Sequence, residues 1–192
     1  MRIIGGSARG RKLMSPASGK ADIRPTSDRV REALFNIVAQ RTAGSTVLDL
    51  FAGTGALGIE ALSRGASFVL FVDKSRQAGQ LIEANLRSCF HQPQAAFIRQ
   101  DLALALRAPG QILTLPRATR FDLVFMDPPY TKKLAEPLLT KIEKTALLAP
   151  GALVVIEEHR STSLPTMVGT LTLINQRCYG QTGLWFYQLQ SP

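Results

Sequence analysis

The sequence predicts an α/β protein: a mostly parallel sheet with an antiparallel last strand, plus a small N-terminal hairpin. Three observations carry this. Short apolar strands alternate with segments of helical periodicity over residues 46–157, the pattern of a parallel sheet covered on both faces. Polar groups recur at the strand ends: Gly53-Thr54-Gly55, then Asp73, Asp101 and Asp127. The last two apolar runs are separated by a short glycine turn, Tyr179-Gly180-Gln181-Thr182-Gly183, which joins strands antiparallel.

In chain order, residues 1–4 read as a short strand, Gly5 to Gly10 as a turn, and residues 11–14 as a returning strand. Arg24-Pro25-Thr26-Ser27-Asp28 sets a helix start, with Thr26 or Ser27 as N-cap. Val30, Ala33, Leu34, Ile37 and Val38 follow at helical spacing and pack on a core. Arg24, Arg29 and Arg31 fall outside that set and are expected to face a partner. Residues 46–51 form the first sheet strand, running into the glycine loop and a helix over 56–63. Residues 68–73 are the second strand, and the helix after it carries Leu81, Ile82 and Leu86. Residues 95–100 are the third strand and 121–126 the fourth. Residues 134–148 read as a helix that Pro150-Gly151 breaks. Residues 152–157, 171–174 and 184–189 complete seven strands.

The chain has 192 residues and 45% hydrophobic content, enough for one core with a small extension. The expected division is a basic extension over 1–25 and a main domain over 26–192. No apolar run reaches membrane-spanning length, and Met1-Arg2-Ile3-Ile4 lacks a secretory apolar region. Cys89 and Cys178 are far apart and have no CxxC partner, which fits reduced cytoplasmic thiols. His91 and His159 are isolated, and no cluster has metal-ligand spacing, so no metal is expected. The net charge is +9, and residues 1–41 hold nine basic residues against three acidic ones. Such a block is the footprint of a polyanion. Arg2, Arg9, Arg11, Lys12, Arg24 and Arg29 are its expected contacts. Charge alone leaves RNA, DNA and acidic lipid open.

The chemistry is read from the strand ends. Gly53-x-Gly55-x-x-Gly58 lets backbone approach a ligand closely at a helix start, a signal that is weak alone. Asp73, about 20 residues on, suits the two ribose hydroxyls of an adenosine. After the apolar run of the fourth strand comes Asp127-Pro128-Pro129-Tyr130. Its prolines fix φ and lack N–H groups, so its carbonyls are free to accept. Asp127 and a proline carbonyl can accept from an exocyclic NH2 while Tyr130 stacks on the ring that bears it. In a doubly wound sheet these strand ends are expected on one carboxyl edge. Nicotinamide chemistry would not need the acceptor turn. Methyl transfer from S-adenosylmethionine to an exocyclic amine would.

With these motifs assembled, the chain strongly resembles the bacterial small-subunit ribosomal RNA guanine-N2 methyltransferases over nearly its whole length. The resemblance rests on Arg2-Ile-Ile-Gly-Gly6, Gly10-Arg-Lys-Leu13, Arg24-Pro-Thr26, Arg31-Glu-Ala-Leu-Phe-Asn36, the stretch from Leu48 to Ala61, Asp127-Pro-Pro-Tyr130 and Tyr179-Gly-Gln-Thr182. It implies a Rossmann-like, seven-stranded class I methyltransferase fold, S-adenosylmethionine as donor and a guanosine of ribosomal RNA as acceptor, within an RNA–protein particle. It also implies Asp49, Gly53 and Gly55 near the donor's methionine part, Asp73 on its ribose and Asp101 near its adenine. Asp127, Pro128 and Tyr130 are the expected catalytic set. A monomer is expected. The basic stretch 111–120 is longer than the motifs demand. Two other readings stay open: another amino-methyltransferase (DNA adenine-N6 or protein glutamine-N5), and a non-catalytic RNA-binding protein. If the N-terminal block only docks substrate, removing residues 1–20 should leave folding and donor binding intact.

Overall fold

The structure, a computed structural model, describes residues 1–16, 28–107 and 119–190. They belong to two compact units, residues 1–100 and 101–192.

In the first unit, β1 (Thr46–Leu50), β2 (Phe68–Asp73) and β3 (Ala95–Arg99) run parallel in the order β3-β2-β1. Val47, Leu48, Leu50 and all of Val69 to Val72 are buried, as a sheet covered on both faces requires. Among the described residues, α1 (Asp28–Ile37), α2 (Ala39–Thr42), α3 (Ala56–Ser63) and α4 (Arg76–Cys89) accompany these strands. α1 buries Val30, Leu34 and Phe35, whereas Ile37 is exposed. α4 starts at Ser75, whose hydroxyl accepts from the Ala78 N–H. It buries Ile82. The expected N-cap residues Thr26 and Ser27 lie outside the described residues, as do Arg24 and the domain boundary at residue 25.

Residues 1–14 form the expected hairpin. Arg2 and Lys12 bridge antiparallel, and the Ile3 and Leu13 N–H groups donate to the Arg11 and Met1 carbonyls. Ile3, Ala8 and Leu13 are buried, so the hairpin is packed on the unit and is no free arm. Its anchor is α3. The Glu60 carboxylate accepts the Ile4 and Gly5 N–H groups at 2.8 Å each. Ser63 accepts from the Ala8 N–H through its hydroxyl and from the Ser7 N–H through its carbonyl.

Arg31 overturns one expectation. Its side chain faces inward at 0% exposure, 3.8 Å from the equally buried Glu60 and 3.1 Å from Asp28. It also donates to the Arg2 carbonyl. Helical spacing places Arg31 next to Val30 and Leu34 on the inward arc, and a buried acid makes its burial tolerable. Removing residues 1–20 would uncover Ile3, Ala8 and Leu13 sites on the core and strip Glu60 of two donors, so an unaltered truncated body is not what this packing supports.

In the second unit, β4 (Phe121–Met126) pairs parallel with β5 (Leu148–His159). β5 pairs antiparallel with β8 (Thr182–Leu189), β8 with β7 (Leu171–Tyr179), and β7 with β6 (Met167–Val168). Among the described residues, α5 (Leu102–Arg107), α6 (Ala135–Glu143) and a 3-10 turn (Tyr130–Lys132) accompany these strands. The helix expected to reach 148 ends at Glu143. Thr145 closes it by donating both its N–H and its hydroxyl to the Ile142 carbonyl, and the Leu147 carbonyl then takes the Phe121 N–H. β5 therefore starts before Pro150. The partner of Phe121 is Leu148 and that of Leu123 is Leu153. The intervening bulge takes Pro150 and the left-handed Gly151 (φ +72°), where proline is tolerated. The extra two-residue β6 makes eight strands in the described residues against seven expected. Among the described residues no helix is long and apolar enough to cross a membrane.

The Arg31–Glu60 arrangement yields a prediction. Glu60→Ala should lower stability by about 3–5 kcal/mol, since it removes the buried partner of a buried guanidinium, leaves it only the half-exposed Asp28, and strips two hairpin N–H groups of their acceptor, with Glu60→Gln milder. Denaturant unfolding checks this, and a loss below about 1 kcal/mol, an ordinary single-substitution effect, would contradict it.

Candidate donor loop and acceptor turn

The chain leaves β1 through a run of left-handed residues. Phe51, Gly53 and Gly55 have φ of 61°, 55° and 78°. A non-glycine residue in this region is disfavoured and persists only where its surroundings hold it. Two carboxylates hold the residues that follow Phe51. Asp73, at the end of β2, accepts the Gly53 N–H at 2.9 Å and the Ser75 N–H at 2.8 Å. Asp49 accepts the Gly58 N–H at 2.9 Å and pins the first turn of α3. A third contact comes from α4, where the Asn85 amide donates to the Thr54 carbonyl at 3.0 Å. Gly58 allows α3 to lie directly on β2, since a Cβ there would sit 2.3 Å from the Phe71 ring. The spacing of the three glycines thus has a packing reason for the last and a conformational one for the first two.

Asp73 is half-buried. A carboxylate offers about four acceptor positions, of which backbone N–H groups take two, so its remaining capacity matches a pair of ribose hydroxyls. The loop therefore fits an adenosine donor. Asp49 is almost wholly buried. Burial, and to a lesser extent the neighbouring Asp73, push its carboxyl up to about 7 against the opposing Gly58 hydrogen bond.

In the second unit, Asp101 caps α5: its carboxylate accepts the Ala103 and Leu104 N–H groups at 2.9 and 3.3 Å. The sequence signal for this helix was present, an N-cap residue before Leu-Ala-Leu-Ala, although only the strand end was read there. Asp127 leaves β4 half-exposed, followed by buried Pro128 and exposed Pro129. Tyr130 then turns its hydroxyl inward. It donates to the Glu157 carboxylate at 3.1 Å and is hydrogen-bonded by the Thr182 side chain. The His159 ring stands edge-on to its ring at 6.3 Å between centroids. Burial, then the Glu157 and Asp127 carboxylates, push the Tyr130 phenol well above its usual range. Tyr130 is thus a fixed donor and no base.

Glu157, His159 and Thr182 surround Tyr130, and none of them is a site residue expected from the sequence. The signal lay in Tyr179-Gly-Gln-Thr182: the β7–β8 turn sets Thr182 opposite His159 in the sheet. Glu158, next along β5, is buried and its carboxyl is pushed up by that burial. Of the expected RNA contacts, Arg2, Arg9, Arg11, Lys12 and Arg29 are all exposed. The first four decorate the hairpin. Among the described residues no group of three or more His, Cys, Asp or Glu could hold a metal ion.

Asp73→Ala should weaken S-adenosylmethionine binding by about 1–3 kcal/mol, the cost of a charge-assisted hydrogen bond, with RNA affinity unchanged in the absence of donor. Calorimetric titration of each ligand decides, and equal losses in both would make Asp73 a purely structural residue.

The chain is similar to known proteins along its full length. Ribosomal RNA small subunit methyltransferase D of Escherichia coli is 35% identical over 191 residues, covering 100% of this chain and 91% of that protein. YlbH of Bacillus subtilis is 39% identical over 188 residues, 98% of each chain. The solved structure of yhhF from Escherichia coli superposes with a TM-score of 0.83 at 34% identity, over 100% and 99% of the two chains. The fold is thus the α/β methyltransferase fold, a mixed sheet of mostly parallel strands. The family described as Conserved hypothetical protein 95 matches residues 1–188. By that match and by these full-length relatives, the chain belongs to this family, that of ribosomal RNA small subunit methyltransferase D.

Proposed function

We propose that the protein transfers a methyl group from S-adenosylmethionine to the exocyclic N2 amine of a guanosine in small-subunit ribosomal RNA. The observation that carries this reading is the acceptor turn. Asp127, two prolines without N–H groups and a tyrosine anchored by Glu157 present acceptors beside an aromatic ring. The ribosomal target is supported by the similarity to ribosomal RNA small subunit methyltransferase D of Escherichia coli, and the guanine N2 atom by the family resemblance of the N-terminal motifs.

An exocyclic amine is a poor nucleophile because its lone pair is delocalised into the ring. Asp127 and the Pro128 carbonyl accept its two N–H bonds, turn the nitrogen towards a tetrahedral shape and localise the lone pair. Tyr130 stacks against the base, a contact worth about 1–3 kcal/mol. The donor, when bound, supplies an electrophilic methyl on a sulfonium. Asp73 takes its ribose hydroxyls, and Asp49, Gly53 and Gly55 lie against its methionine part. Asp101 lies near its adenine while capping α5. Rate comes from orientation and fixed charge. The exposed arginines and Lys12 of the hairpin, with Arg24 and Arg29, take RNA phosphates, so binding weakens as salt rises.

The test is mass analysis of nucleosides from small-subunit particles incubated with labelled donor. N2-methylguanosine is the expected product. Asp127→Ala should reduce turnover by two or more orders of magnitude, the scale of one lost orienting group, while donor binding persists; Asp127→Asn should be milder. Label found only in N6-methyladenosine or in protein would overturn the assignment.

A second prediction concerns pH. A cationic donor favours ionised Asp49, so below about 7 its binding must expel a proton. Donor affinity should therefore rise with pH and level off above about 7, and Asp49→Asn should flatten this difference. In the free protein the sign is opposite. A raised folded-state pKa means that the folded chain holds the proton more tightly than the unfolded one, so this group's contribution to stability falls as pH rises from about 4 through about 7. Parallel titrations of wild type and Asp49→Asn across that range measure both.

A further inference from the structure

One buried side chain outside the donor loop touches both that loop and the hairpin. Asn85 on α4 has no exposed area. Its Oδ1 accepts the Met14 N–H at 2.6 Å. Its Nδ2 donates to the Met14 carbonyl at 3.2 Å and to the Thr54 carbonyl at 3.0 Å. The Met14 side chain is exposed, so only the backbone of that residue is being held. Thr54 lies between the two left-handed glycines of the donor loop.

We infer that Asn85 is a positioning residue that couples the N-terminal hairpin to the donor loop, so that RNA and S-adenosylmethionine each strengthen the binding of the other. The inference rests on the hairpin's proposed role in docking RNA and goes beyond it. The physical argument is the planarity of one amide. Oδ1 and Nδ2 rotate together, so a shift of the returning hairpin strand that carries Met14 withdraws the donor from the Thr54 carbonyl. A ligand that bears on the donor loop fixes Thr54, and through it the amide and the register of Met14.

α3 gives the coupling a second, independent contact. The helix begins at the donor loop, where Asp49 pins Gly58. Further along, Glu60 and Ser63 hold the hairpin at Ile4, Gly5 and Ala8. The hairpin's outer face carries Arg2, Arg9, Arg11 and Lys12, all exposed. A polyanion docking there bears on the same strands that Asn85 and Glu60 grip. Linkage then requires reciprocity: whatever factor RNA applies to donor affinity, the donor applies to RNA affinity.

The experiment is a pair of titrations on the full chain. Affinity for S-adenosylhomocysteine is measured with and without undermethylated small-subunit particles, in wild type and in Asn85→Ala. Wild type should show a tightening of roughly 5- to 100-fold, the usual range for coupled sites. Asn85→Ala, which also loses the contact to Thr54, should bind S-adenosylhomocysteine more weakly on its own and show a smaller tightening than wild type, with only the α3 contact left to couple the two sites. A wild type with no tightening, or a variant with the same tightening as wild type, overturns the proposal. Because the variant could fail to fold, amide hydrogen exchange in wild type provides a second readout. Addition of S-adenosylhomocysteine should slow exchange at the Met14 amide, and an unchanged rate overturns the proposal equally. A wild type that neither binds nor methylates the particle would remove the underlying RNA reading, and this inference with it.

Discussion

The donor loop depends on carboxylates that hold backbone N–H groups. A strand that must end in left-handed residues has no ladder to satisfy its amides. Asp73 and Asp49 supply the missing acceptors at Gly53 and Gly58. They join the Ala52 N–H bond to the Val72 carbonyl in holding a run that opens with Phe51 at φ 61°, a conformation that costs about 1–3 kcal/mol. In the proposed reading the same two residues set the electrostatics that the donor's sulfonium meets. Asp73 retains acceptor capacity, and Asp49 is buried deeply enough that its ionisation answers to the charge beside it. Fold and donor chemistry thus share groups, so variants at these positions will move stability and binding together.

The hairpin follows the same logic with a different acid. Glu60 is buried between a buried arginine and two hairpin N–H groups, and Arg64 completes the cluster while its guanidinium lies 5.0 Å over the Phe35 ring. A basic segment is thereby built into the core by its backbone and its three apolar residues, while its cations stay outside. The acceptor turn uses another device. There the prolines remove donors, and the Tyr130 hydroxyl is spent on Glu157 and Thr182, which leaves the ring held at its far end. Both devices commit the groups that would otherwise compete for the ligand.

Much of this was legible in the sequence because it follows from local rules. Apolar runs marked β1, β2 and β4 to the residue or nearly so, and the glycine spacing and Asp73 marked the donor loop. What was missed depends on partners distant in the chain. Arg31 looked solvent-facing because nothing local announces that Glu60, 29 positions on, is buried opposite it. The sequence pattern overextends α6 because Leu147 and Leu148 continue its helical spacing. The competing signal, Thr145 closing the helix and a strand partner at Phe121, is partly tertiary. Glu157 and Thr182 were read as a strand end and a turn. Their contact with Tyr130 exists only once β5 and β8 pair.

The central claim is that the acceptor is an amine, read by acceptors at Asp127 and stacked on Tyr130. Its most direct test replaces the target guanosine with inosine, which keeps the ring and loses only the 2-amino group. Reconstituted small-subunit particles carrying either base would be compared for binding and for methyl transfer from labelled S-adenosylmethionine. The inosine particle should bind with nearly the affinity of the guanosine particle and receive no methyl group. Transfer to the inosine particle at the guanosine rate would contradict the claim.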